Sequence, residues 1–153
     1  MKITINEYLT EQEIKIDQIK QLLLSDKKYD ISFNGKPSKN GWKISIVGKK
    51  MDDIYELYDR LHVYLEKHNI AHKIATKKRI ESGIFEQNRK LFTIYVPDDI
   101  DMKILLIKIE YLLKGYTGWY DIKLPFTDYD VYAGGIMTRN DRDENGEYIP
   151  VRR

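Results

Sequence analysis

The sequence predicts a single α+β domain, a mostly antiparallel sheet with helices packed on one face. Three observations predict it. Short segments at 42–47, 71–75 and 91–96 read as strands. Two longer segments, 51–68 and 98–114, carry apolar residues at the three-and-four spacing of helices. The 153 residues are 42% hydrophobic and 33% charged, which suits one core under a charged surface, and no segment repeats.

Taken in order, Ile14, Ile16, Ile19, Leu22 and Leu23 predict an amphipathic helix over 12–25. Asn34 to Gly41 is dense in turn formers and reads as a loop. Residues 1–40 are therefore expected to be a helix and linker, and 41–153 the core. Trp42 to Val47 alternates as a strand. Met51, Ile54, Leu57, Leu61 and Leu65 define the next helix under an Asp52/Asp53 start. A short strand at 71–75 and a basic stretch at 76–90 lead to a third strand, Leu91 to Val96. Pro97 stops that strand, and a helix from Asp98 to Lys114 closes at Gly115. Beyond it, short strands are expected near 120–124 and 129–138. The Asn145-Gly146 pair favours a tight hairpin with a returning last strand.

Composition excludes several functions. The chain has no cysteine, so disulfides, thiolate nucleophiles and Cys-ligated metals are ruled out. No run approaches the ~20 apolar residues of a membrane helix, and no signal-peptide core is evident, so a cytoplasmic protein is expected. The net charge of +2, from 26 basic and 24 acidic residues, argues against a uniformly polyanion-binding surface. The 12 tyrosines hint at a polar binding face.

Strand alternation divides the sheet into two unlike faces. Trp42, Ile44, Ile46, His72, Ile74, Phe92, Ile94 and Val96 form the apolar set expected under the helices. The opposite face gathers Lys43, Ser45, Lys73, Thr93 and Tyr95. Charge reinforces the division. Lys36 to Lys50 holds five lysines and no acid, Lys73 to Lys90 six bases against Glu81 and Glu86, and 97–130 seven acids against four bases. A phosphate-bearing ligand fits such a patch, since lysine offers point charge and arginine a bidentate fork. A nucleic-acid backbone would satisfy it too, although no recognition helix, zinc finger or RNA-binding motif is present.

The order Gly41-Trp42-Lys43-Ile44-Ser45-Ile46, helix, His72-Lys73-Ile74, then Lys90-Leu91-Phe92-Thr93-Ile94-Tyr95-Val96 resembles the phosphothreonine lyases of bacterial type III effectors. It is more similar still to the N-terminal lyase domain of class III lanthipeptide synthetases. The resemblance spans about 40–138, with a looser match over Val131 to Gly135 and Asp143 to Gly146. It implies elimination of phosphate from phosphothreonine or phosphoserine without water or cofactor: a lysine base takes the α proton and a dehydroamino acid results. By the same resemblance, Lys73 falls at the base position, Lys43 at the accompanying lysine and Tyr95 at the supporting aromatic. Ser45, Arg89, Lys90 and Arg139 are the candidate phosphate contacts.

Departures from the family pattern bear on turnover. Ser45 stands where the family has its acid histidine, and a hydroxyl cannot act as a cationic acid near neutral pH. Ala133-Gly134-Gly135 replaces an Arg-Tyr-Gly segment, with Arg139 and Arg142 the nearby arginines. An inactive relative that binds a phosphorylated partner or a host protein is therefore the alternative expectation. Separately, Asn6-Glu7-Tyr8-Leu9-Thr10-Glu11 resembles the cleaved capsid-targeting peptides of T4-like phage internal proteins, although an amphipathic helix start explains the same residues.

No metal site is expected. The acids Asp128, Asp130, Asp141, Asp143 and Glu144 miss the calcium-loop spacing. The histidines lack the His-Glu-x-x-His pattern of zinc enzymes. His62 and His68 are expected to face solvent from the helix, and His72 to point toward the apolar side of its strand.

Overall fold

The computed structural model describes residues 21, 31–36, 38–48, 53–76, 90–116 and 130–148. Its elements are β1 (Ile31–Phe33), β2 (Trp42–Val47), α1 (Asp53–Lys67), β3 (His72–Ile74), β4 (Lys90–Tyr95), α2 (Met102–Leu112), β5 (Asp130–Ala133) and β6 (Ile136–Asn140). The strands form one six-stranded sheet in the order β1-β3-β4-β2-β6-β5. All five strand pairs are antiparallel, and the helices pack against the sheet, as the α+β reading expects.

The core follows from the two periodicities. From α1, Ile54, Leu57, Tyr58, Leu61 and Leu65 are buried, and from α2, Leu105, Leu106 and Ile109. They join Ile44, Ile46, Ile74, Phe92, Ile94 and Ile136 of the sheet in one hydrophobic cluster. Each such side chain removed from water contributes about 1.5–3 kcal/mol. Among the described residues, no helix is long and apolar enough to cross a membrane.

Several elements differ from the sequence expectation. Ile31 to Phe33 forms an edge strand paired with β3, so the sheet begins ahead of residue 41. The second helix starts at Met102, not Asp98, with Asp101 as its N-cap: the Asp101 carboxylate accepts the Lys103 and Ile104 amides. Asp98 instead accepts the Lys39 and Asn40 amides at 2.8–3.0 Å, tying the 38–40 loop to the end of β4. The 129–138 segment is broken at Gly134-Gly135 into the β5–β6 hairpin, with Gly134 at φ 51°. At the Asn145-Gly146 turn, the Asp143 amide donates to Glu147 carbonyl at 2.8 Å and a single bridge joins Arg142 and Tyr148. Of the helix expected over 12–25 only Gln21 is described, and it is helical. The strand expected near 120–124 and the phage-like segment 1–11 lie outside the described residues.

The link from α1 to β3 is tight. Asn69 takes a left-handed φ of 56°, and the Ile70 amide donates back to Leu65 carbonyl at 2.8 Å, the Schellman arrangement. β3 therefore doubles straight back along α1.

Candidate functional site

Register places the expected polar face residues side by side. Lys73 stands opposite Thr93, Thr93 opposite Ser45, and Ser45 opposite Met137. In the adjoining row, Tyr95 stands opposite Lys43 and Lys43 opposite Arg139. Directly opposed residues share a face of a sheet, so Lys43, Ser45, Lys73, Thr93, Tyr95 and Arg139 come together from four contiguous strands. A register shift at Ile46/Val47 sets Lys90 opposite Val47, on the row beyond Ser45. Arg89 lies outside the described residues. Arg142 lies past the end of β6 and donates to the Gly146 carbonyl at 3.2 Å, so of the two tail arginines Arg139 is the one in the row.

Asp141 organises the cations. Its carboxylate pairs with Lys43 at 3.2 Å and with Arg139, and its amide donates to Gly41 carbonyl at 2.8 Å. Gly41 has a φ of 78°, and a Cβ there would run into the Asn140 and Arg142 side chains. Glycine is what allows the start of β2 to approach the end of β6 this closely. Burial holds the Lys43 ammonium below the usual lysine range. Asp141 opposes that shift, and the charges of Arg139 and Lys73 add to it. A lysine so placed is closer to a neutral, proton-accepting form than one in water.

Ser45 stands in the row of Thr93 and Lys73. It is fully buried, and among the described residues its hydroxyl is the buried side-chain group with no hydrogen-bond partner. Such a group costs about 1–3 kcal/mol unless something satisfies it. The face thus offers cations from three strands, a tyrosine, and a hydroxyl awaiting a partner.

The opposite face carries a feature that sequence spacing did not reveal. His72 faces the core as expected and is 1% exposed. His62, expected in solvent, is half-buried, with Nδ1 2.9 Å from His72 Nε2. The Asn69 turn causes this by folding β3 back onto α1. The four-residue step from His62 to Glu66 on one helix face was the available signal, and it needed the third residue from β3 to acquire meaning. His68 is exposed, against the Tyr64 ring. Compared with known proteins, the chain matches no family model and no curated protein.

Proposed function

We propose that the protein is a phosphothreonine lyase-like protein that binds a phosphorylated threonine or serine peptide on the Lys43/Lys73/Arg139 face. The observation that carries this reading is the buried, unpartnered Ser45 hydroxyl within that cationic face. Lys43, Arg139 and Lys90 supply charge to the phosphoryl oxygens, and Ser45 donates a hydrogen bond. Tyr95 borders the peptide. Asp141 holds Lys43 and Arg139 in place and yields them to the incoming dianion.

The same face supports β-elimination. Lys73 is the base that takes the Cα proton; the C–H electron pair becomes the Cα=Cβ bond as the Cβ–O bond breaks and phosphate departs. Serine at position 45 supplies a hydrogen bond to the leaving group but no cationic acid. That substitution favours a second reading, a binder of phosphorylated partners with little or no turnover.

Mass measurement of a phosphothreonine peptide incubated with the protein across pH 6 to 9 separates the two. Loss of phosphoric acid identifies a lyase, and Lys73→Ala then abolishes it. An unchanged peptide that remains bound identifies the silent binder, and release of phosphate with gain of water contradicts the chemistry. Steeply salt-dependent binding of plain duplex DNA, with no preference for phosphopeptide, would move the face to nucleic-acid binding.

A further inference from the structure

On the helix side of the sheet, distinct from the cationic face, His62 and Glu66 of α1 and His72 of β3 each offer one ligand atom, and these atoms lie within 4.8 Å of one another. We propose that His62, Glu66 and His72 form a binding site for a divalent transition-metal ion of the zinc class.

The His72 ring is set for ligation. Its Nδ1 lies 2.8 Å from the Ile70 carbonyl, which can only accept, so Nδ1 carries the proton and Nε2 presents its lone pair toward His62. A carbonyl behind the ligating imidazole is the usual way such a ring is fixed in orientation and tautomer. Stacking holds the ring from both sides, with Phe33 at 5.0 Å and Phe92 at 5.6 Å between centroids. His62 is held likewise, stacked on Tyr58 at 4.4 Å. Two walled imidazoles lose little side-chain freedom when they take up an ion.

The spacing is also suitable. His62 Nδ1 and His72 Nε2 stand 2.9 Å apart, sharing one proton. With zinc–nitrogen bonds of about 2.0–2.1 Å, two imidazoles on one ion hold their nitrogens roughly 3 to 3.4 Å apart. An ion in place of the shared proton changes the nitrogen separation by only a few tenths of an ångström, with each ring turning so that its lone pair meets the ion. The proton passes to His62 Nε2 as that ring changes tautomer. Glu66, one helical turn beyond His62 and exposed, adds a carboxylate from the solvent side. Its exposure puts the site at the solvent edge of α1. Two nitrogens and one carboxylate select zinc, cobalt, nickel or copper over magnesium or calcium, which require oxygen. The ion would clamp α1 to β3, whose next residue is Lys73.

The test is calorimetric titration of the chelator-treated full chain with zinc chloride, paralleled by visible absorption with cobalt(II). One equivalent is expected to bind with a dissociation constant in the micromolar range or tighter, as is typical of a preformed three-ligand site. Glu66→Gln and His62→Gln should each weaken binding about tenfold or more, while His68→Gln leaves it unchanged. Cobalt should give ligand-field bands that disappear in His62→Gln. Glu66 is exposed, so its variant retains the fold and keeps the test decisive. Absence of saturable one-equivalent uptake below about 0.1 mM zinc, or binding that persists undiminished in Glu66→Gln and His62→Gln, overturns the site.

Discussion

At the scale of single residues, the polar face depends on side chains whose direction the sequence determines strongly. Alternation along β2, β3 and β4 places Lys43, Ser45, Lys73, Thr93 and Tyr95 on one side, and register then sets them in two adjacent rows. Arg139 could not be placed that way, because its position opposite Lys43 depends on which strand β6 joins. Ser45 is the most informative residue. With its hydroxyl buried and unsatisfied, Ser45→Ala should raise stability by about 1 kcal/mol in urea unfolding. The same variant should lose affinity for a phosphothreonine peptide. A destabilised Ser45→Ala protein would mean that the hydroxyl is satisfied within the free chain.

At the scale of elements, the two helices and the strands β2, β3 and β4 were legible, and β1 was not. α1 falls within its expected span because five apolar positions repeat at helical spacing. β1 has three residues, too few to establish alternation, and exists only because β3 offers an edge. The start of α2 was misplaced because three aspartates follow Pro97 closely, and only the fold reveals that Asp98 serves the 38–40 loop and Asp101 the cap. The α1–β3 junction makes a pH prediction. Burial holds His72 below the usual histidine range, against the raising effects of the Ile70 carbonyl and Glu66. A depressed histidine means that the unfolded chain binds more protons, so stability falls as pH drops through about 6.5 toward the folded value. With chelator present, the urea midpoint should be lower at pH 5.5 than at 7.5, and the His72 ring should titrate by NMR below 6.5. Titration of His72 at or above 6.5 would contradict its burial as the governing effect.

At the scale of the whole molecule, a small net charge conceals a strongly divided sheet. One face builds the core with both helices, and the other collects Lys43, Lys73 and Arg139 around a buried hydroxyl. Fold class was legible because periodicity and turn chemistry agree along the chain. Strand order was not, since pairing β4 with β2 and β3, and β2 with β6, is a matter of long-range packing. That order brings bases separated by nearly a hundred residues into adjoining rows of one face. Binding of a fluorescent phosphothreonine peptide, compared with its unphosphorylated form, tests this claim most directly. At moderate salt the phosphorylated peptide should bind at least about tenfold more tightly, a preference worth roughly 1.4 kcal/mol that Lys43→Ala and Lys73→Ala each diminish. Equal affinity for the two peptides, or a preference untouched by both lysine substitutions, would contradict a phosphate site on this face.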